Sequence, residues 1–316
     1  MPNSFPALAI HGGAGTIPSY SLDAESRAAY HDGLGSALRA GWKVLQAGGP
    51  ALDAVTEAVK KLEDDPLFNA GRGAVLTSAG RPEMDAAIMR GSDHAAGAVA
   101  GICGPRNPVE AARLIMETSG HVLMVGQGAE AFLREAGMVF EPPAYFETER
   151  RRAALALELD RRSRGAPDTR SDADRHGTVG AVARDASGGL AAATSTGGYT
   201  AKRPGRVGDA PVIGAGTFAD DASCAVSCTG NGEIFIRFAA AAELSARVRL
   251  GGQALEAAAA NLIAELGEHE GEGGIITLGP QGAPILVFNS SGMYRGFTDA
   301  QGGLWTAIHR EPYRPG

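Results

Sequence analysis

The sequence predicts an α+β chain of layered antiparallel sheets covered by helices, and three features carry that expectation. Apolar residues recur at helical spacing in two neighbouring pairs of stretches, 22–47 with 51–62 and 238–250 with 253–266. Two pairs of β-like runs stand apart from them, Thr178 to Arg184 with Leu190 to Thr196, and Cys224 to Thr229 with Glu233 to Arg237. Strand pairs grouped together, with helix pairs on either side, suit sheets that bury one face on each other and the other face under helices. Periodicity alone leaves the order of the layers open.

In chain order, Ala7-Leu8-Ala9-Ile10 is an apolar run ending in a glycine cluster, as expected for a buried first strand. The first helix runs from Leu22 to Ala47 and stops at Gly48-Gly49-Pro50. A second, from Ala51 to Leu62, ends at Glu63-Asp64-Asp65-Pro66, where the proline closes it and opens a loop. Pro108 to Glu117 reads as a helix with proline in its first turn, and Ala129 to Ala136 as another stopped by Gly137. After Pro142-Pro143, Thr148 to Arg164 is a helix candidate with charges over most of its surface. The whole of 149–175 reads as a solvated connector. The hairpin from Thr178 to Thr196 turns at residues 185–189, and Ile275 to Leu278 with Ile285 to Phe288 are late strands.

The chain has 316 residues, 36 acidic and 29 basic, for a net charge of −7. No overall basic field exists to attract nucleic acid or an anionic membrane, so the expected ligand is a small molecule. The opening MPNSFPALAI lacks a basic n-region, and nowhere do ~18 apolar residues run together. The expected compartment is the cytoplasm. Cys103, Cys224 and Cys228, an odd number with no CxxC, read as small buried hydrophobes of a reducing environment. Gly214-Ala215-Gly216-Thr217-Phe218-Ala219 formally matches a dinucleotide fingerprint, but a β-like run follows where a helix is required.

At His176-Gly177-Thr178-Val179-Gly180-Ala181-Val182-Ala183 the charged segment stops and a β-rich half begins. A threonine after a glycine, which offers no Cβ to obstruct attack on its carbonyl, is able to cleave its own peptide bond by an N→O acyl shift. The freed threonine then carries a hydroxyl and an α-amine whose ordinary pKa of about 7.7 to 8.0 suits a general base. On these eight residues alone, a strand-initiating Thr after a Gly turn remains the plain alternative.

Further motifs surround this one: His11-Gly12-Gly13-Ala14-Gly15-Thr16, the run FNAGRGA from Phe68 to Ala74, TSTGG at 194, PGRVGD at 204, SCTGNGE at 227 and GMYRGF at 292. Together and in this order they resemble the plant-type L-asparaginases, or isoaspartyl peptidases, of the N-terminal-nucleophile hydrolases, over nearly the whole chain. The resemblance implies one domain over residues 1–316 with the four-layer αββα sandwich. It implies self-cleavage into 1–177, ending in a mobile linker over about 141–177, and 178–316. It implies hydrolysis of L-asparagine and of β-aspartyl dipeptides through a covalent acyl-enzyme.

By the same resemblance, Gly177-Thr178 is the cleavage site and Thr178 the nucleophile, oriented by the hydroxyl of Thr196. Thr229 and Gly230 match the oxyanion-hole pair, which also contacts substrate, and Asn69 the asparagine that touches the nucleophile's amine. Arg206 and Asp209 match the residues that hold the substrate's α-carboxylate and α-ammonium, a pairing that suits a planar guanidinium fork and a carboxylate. The loop from Leu62 to Arg72 resembles a sodium-binding loop, with carbonyls of Leu62, Glu63, Asp65, Phe68, Ala70 and Arg72 as ligands, and the family forms dimers of processed protomers. No cofactor is implied for the chemistry. His176 is a structural neighbour of the scissile bond. Tyr199 and Ser290-Ser291 depart from the family pattern and bear on specificity. Rival expectations are a glycosylasparaginase, a threonine endopeptidase and, from a different class, an unprocessed amino-acid-binding protein.

Overall fold

The computed structural model describes residues 5–15, 22–166 and 177–316; Thr16, His176 and the end of the expected linker, 167–175, lie outside them. Strand β1 (Ala7–Gly15) lies in the interior of a nine-stranded sheet, next to its middle strand. β11 (Gly292–Thr298) pairs antiparallel on one side of it and β5 (Val179–Arg184) on the other. Beyond β5 come β6 (Leu190–Thr196), β2 (Met84–Arg90), β3 (Ala96–Ile102) and β4 (Leu123–Val125); beyond β11 come β12 (Leu304–Ala307) and β13 (Arg314–Pro315). Among the described strands of this sheet only the β3–β4 pairing is parallel. A second, antiparallel sheet runs β10 (Ile285–Phe288), β9 (Gly273–Leu278), β8 (Ala225–Gly230), β7 (Thr217–Ala219).

The two sheets face each other, with helices outside both, so the order of layers is αββα. Helices α1 (Ala24–Gln46) and α2 (Ala51–Asp64) cover the large sheet, and α8 (Ala240–Arg249) with α9 (Leu255–Glu268) the small one. Side-chain alternation in β5 explains the arrangement. Val179, Ala181 and Ala183 join the core under α1 and α2, whereas Val182 joins Ala9, Ala192, Ala225 and Ile276 between the sheets. The helices begin where polar groups satisfy their first amides. Asp23 accepts from Ser26 N–H (2.7 Å) at α1, and Asp185, from the β5–β6 turn, accepts from Ala51 N–H (3.0 Å) at α2. Among the described residues no helix is long and apolar enough to cross a membrane.

The hairpin β5–β6 sits between β1 and β2, so strands from after residue 177 interleave with strands from before it. The Gly177–Thr178 bond therefore opens a central strand.

Three sequence expectations need correction. Glu233 to Arg237 is no strand: it forms α7 (Gly232–Arg237). The apolar triplet 234–236 is too short to fix a period, and the structure buries the adjacent Ile234 and Phe235 while exposing Ile236, a helical phase. Second, the expected loose connector contains α5 (Pro143–Phe146) and a docked α6 (Glu149–Ser163). Most of α6 stays exposed, as expected for a charged helix over Thr148 to Arg164, but charged residues anchor it: the buried Glu158 accepts from Arg161 and Arg162, the buried Arg151 donates through Nε to Gly73 O (2.6 Å), and Arg162 Nη1 donates to Ala201 O (2.9 Å). Third, β2, β3, β11 and β12 had no expected counterpart. β2 and β3 are buried on both faces and rich in Ala, Gly and Met, so neither alternation nor a β-branched run marks them. The remaining helices, α3 (Pro108–Leu114) and α4 (Gly126–Glu135), fall where expected. At 214–216 the glycine pattern turns straight into β7, so no helix N-terminus follows it. Cys224 and Cys228 are buried as expected, but Cys103 is only half-buried.

Candidate active site

Thr178 lies just before β5, and its hydroxyl donates to Thr196 Oγ1 at 3.2 Å. The two threonines meet because Val179 is paired with Ser195, which sets the end of β6 opposite the start of β5. Thr196 Oγ1 in turn donates to the carbonyl of Gly177 (2.8 Å) and accepts from Gly198 N–H (2.9 Å). Asn69 supplies a second donor to that carbonyl, Nδ2 to Gly177 O at 2.7 Å. Its other amide hydrogen goes to Gly198 O (2.6 Å) and its Oδ1 accepts from Val75 N–H (2.9 Å), so its orientation is fully determined. With the peptide intact, Asn69 thus contacts the carbonyl of residue 177, one bond away from the nitrogen the sequence expectation assigned to it. A cleft beside Gly177 is lined by Gly13, Ala14, Tyr30, Asn69, Arg150 and Tyr294.

Thr229 is the last residue but one of β8, facing the same β1 segment. Its Oγ1 accepts from Ala14 N–H (3.1 Å), which leaves the hydroxyl hydrogen for another acceptor. Gly230 follows at φ 148°, where a Cβ would stand 2.3 Å from Glu272 O, so only glycine fits.

Arg206 and Asp209 are brought together as expected, but the guanidinium fork is not open. Arg206 Nε and Nη2 donate to Glu233 Oε1 (2.9 Å) and Oε2 (2.7 Å), a bidentate pair. A largely buried guanidinium takes the nearest carboxylate, and Glu233 stands at the first turn of α7, the very element expected as a strand. Nη1 faces the backbone of Gly198 and Gly208. Tyr199 lies under the guanidinium, 4.8 Å from ring centroid to Cζ, so this departure from the family pattern adds a cation–π contact. Asp209 is buried, and burial pushes its carboxyl up to about 7, partly offset by its own backbone N–H and by Arg206. Its Oδ2 has no hydrogen-bond partner among the described residues. Beneath Gly198, the fully buried Lys202 points its ammonium at Asp85 Oδ2, 3.6 Å away.

The loop after α2 presents backbone oxygens suited to a cation. Pro66 has no N–H to meet Leu62 O in the helical pattern, and Leu67 N–H donates to Asp65 Oδ1 (3.0 Å) instead of to Glu63 O. Asp65 O and Ala70 O accept one backbone hydrogen bond each, from Phe68 and Gly73, which leaves each a lone pair. The Arg72 side chain turns away onto Tyr145, 5.5 Å from its ring centroid. A set of neutral carbonyl oxygens of this kind fits a hard cation. Among the described residues no cluster of three His, Cys, Asp or Glu side chains offers a competing metal site. At the rim, Ser290 Oγ donates to Gly292 O (2.9 Å) and Ser291 Oγ to Gly15 O (3.4 Å).

Sequence reasoning passed over several residues that the structure draws in. His11, Ser227 and Glu233 lie inside quoted motifs yet received no role, and Lys202 lies between two of them. For His11 and Ser227 the available signal was a polar residue within a buried strand; Glu233, on α7, and Lys202, in a loop, carried no such signal.

Comparison with known proteins adds a family. A family model described as Asparaginase matches residues 4–308. An isoaspartyl peptidase of Salmonella typhimurium is 49% identical over 312 residues, covering 96% of this chain and 98% of that one. One from Escherichia coli is 47% identical, with 96% of each chain covered. A plant-type L-asparaginase of Pyrococcus abyssi is 46% identical over 251 residues, 78% of this chain and 80% of that one.

Proposed function

The chain belongs to the asparaginase family, and from that premise we propose that it is a self-processing hydrolase of β-aspartyl amides with Thr178 as its nucleophile. The observation that carries this reading is the double hold on the Gly177 carbonyl by Asn69 Nδ2 and Thr196 Oγ1, with the Thr178 hydroxyl alongside.

In maturation, Thr178 Oγ attacks the carbonyl carbon of Gly177, and the oxygen that gains charge already faces two donors. Donors fixed in this way contribute about 3 to 4 kcal/mol each in comparable hydrolases. The C–N bond breaks as a proton reaches the Thr178 nitrogen, leaving an ester that water hydrolyses to the Gly177 carboxylate and a free threonine. The pieces, 177 and 139 residues long, stay together because β5 and β6 remain laddered to β1 and β2.

In turnover, the freed α-amine takes the hydroxyl proton and Oγ attacks the side-chain carbonyl of the substrate. The free hydrogen of Thr229 and the backbone at Gly230 serve the oxyanion. The amine leaves with a proton, and water releases L-aspartate from the ester. Asp209 Oδ2 receives the substrate ammonium, and Arg206 reads the α-carboxylate through Nη1 or by exchanging Glu233 for it. Substrates are thereby L-asparagine and β-aspartyl dipeptides. The Leu62 to Arg72 loop binds sodium through its carbonyls, which stiffens the segment carrying Asn69; the working form is a dimer of processed protomers, in the cytoplasm.

Denaturing mass spectrometry tests the central step. Wild type is expected as two pieces and Thr178→Ala as one intact chain. Efficient cleavage of that variant at the same bond would overturn self-processing.

A further inference from the structure

We propose that His11 is a positioning residue for Thr178, holding its carbonyl at the head of a directional chain of buried hydrogen bonds that runs through Ser227, Thr194 and Thr217. The inference rests on Thr178 being the nucleophile and gives a role to a motif residue that had none.

His11 Nδ1 lies 3.0 Å from Thr178 O, and Nε2 lies 2.9 Å from Ser227 Oγ. A carbonyl only accepts, so Nδ1 carries the hydrogen, and a neutral ring must then accept at Nε2 from the Ser227 hydroxyl. The ring is neutral, because complete burial lowers its pKa to about 3 against the opposing effect of the bond to Thr178. With its hydrogen committed to His11, Ser227 Oγ accepts from Thr194 Oγ1 (2.7 Å), which stands 2.7 Å from Thr217 Oγ1. Thr217 Oγ1 has one hydrogen, which in this chain goes to Thr194; Ala210 O, 3.0 Å away, is its competing acceptor, so the chain ends at Thr217. The chain thus links the large sheet (His11, Thr194) to the small one (Ser227, Thr217).

Local sequence makes room for this crossing. His11 is paired with Gly180 across the β1–β5 ladder. A Cβ on Gly180 would stand 2.0 Å from Ser227 Oγ and 2.5 Å from His11 Nε2, so any larger residue would close the passage.

The role becomes necessary after cleavage. The β5–β6 ladder begins at Val179, so processed Thr178 is a chain terminus beyond the last ladder bond, where chains fray unless tied. A hydrogen bond on its carbonyl fixes the 178–179 peptide plane and with it the direction of the Thr178 side chain and amine. Substrate recognition at Arg206 does not depend on that plane. Loss of the tie should therefore lower kcat and leave KM nearly alone.

The test is steady-state hydrolysis of β-Asp-Leu by processed wild type, His11→Phe, His11→Gln and His11→Asn. Asparagine places its Nδ2 where the imidazole has Nδ1 and keeps the donor to Thr178 O; glutamine and phenylalanine do not. For a buried hydrogen bond of this kind, kcat should fall about 10- to 100-fold in His11→Gln and His11→Phe, with KM within about 3-fold and most of kcat restored in His11→Asn. Wild-type kcat in His11→Gln, a KM that rises in step with the loss, or no recovery in His11→Asn would each overturn the proposal. If the position-11 variants do not fold, Ser227→Ala decides. It should lower kcat about 3- to 10-fold at unchanged KM, and wild-type kcat there overturns the chain. An inactive wild type would sink the proposed function itself; an active wild type with unaffected variants sinks only this inference.

Discussion

Around the Gly177 carbonyl and Thr178 the neighbouring polar side chains are fully engaged. Asn69 uses both amide hydrogens and its oxygen, Thr196 donates once and accepts twice, and His11 is bonded at both nitrogens. At Arg206 and Asp209 the situation is reversed. Among the described residues one carboxylate oxygen of Asp209 is buried without a partner, and the guanidinium is held by Glu233, whose side chain is 53% exposed. Groups that must hold one geometry through bond-making are pre-paired, whereas groups that must receive a charged ligand keep vacancies or exchangeable partners. The nucleophile side is complete before substrate arrives; the recognition side is completed by substrate.

The sharpest way to break this contrast is Arg206→Ala. It should process normally, because no bond at the scissile peptide involves Arg206, yet lose activity on β-Asp-Leu and asparagine. Removing one partner of a buried charged pair costs ~2 to 5 kcal/mol, or roughly 30-fold to several thousand-fold in kcat/KM. Arg206→Lys should rescue only part, as a point charge replaces a fork. α-Asp-Leu should be refused by wild type, since its α-carboxylate is consumed in the peptide bond. Equal cleavage of α- and β-linked peptides, or near-full activity in Arg206→Ala, would remove this arginine from recognition.

Asp209 offers a pH test of the vacancy. Its carboxyl titrates at about 7 in the folded chain, against an ordinary value near 3.8. Between those values the folded protein holds a proton that the unfolded chain has lost, so ligand-free stability falls as pH rises through that window. A bound L-aspartate, whose ammonium meets the carboxylate, should flatten Asp209's share of the decline in Tm, and Asp209→Asn should remove that share, while the buried Glu63, pushed up to about 8, keeps its own. On β-Asp-Leu, Asp209→Asn should lose about 10- to 100-fold in kcat/KM, as for hydrogen bonds to charged groups. A Tm profile identical in wild type and Asp209→Asn would show that this carboxyl does not titrate there.

Sodium sharpens the other side, since the Leu62 to Arg72 loop carries Asn69. Thermal unfolding in sodium chloride should exceed that in sodium- and potassium-free buffer of equal ionic strength by about 5 °C. No difference in Tm or activity would take the cation out of the account. The smallest effect belongs to Glu233→Gln, because a half-exposed ion pair is weak. Freeing the fork should lower KM for β-Asp-Leu by about 2- to 3-fold, and a rise in KM would instead make Glu233 a support that Arg206 needs in the bound state.

Much of the architecture was legible from periodicity. Helices α1, α2, α8 and α9 carry long apolar stripes with glycine or proline at their ends, and the β5–β6 hairpin has a turn sequence between two apolar runs. Strands β2 and β3 were not legible, because burial on both faces erases alternation. Nor was α7, whose short apolar run fits either period.

For the site, the sequence by itself determined which residue types are present and in what order: a Gly-Thr junction, an asparagine after α2, and Arg and Asp three apart between prolines. Those are local facts, and short motifs record them. Only the tertiary structure decided the partners. It set two donors on Gly177 O from segments more than 100 residues apart in one case and 19 in the other, turned Glu233 onto Arg206, and led His11 past Gly180 to Ser227. The physical reason is that a hydrogen bond depends on distance and direction in space. Those are fixed by strand register across β1, β5, β6 and β8 and by the packing of two sheets, and no run of neighbouring residues encodes either one.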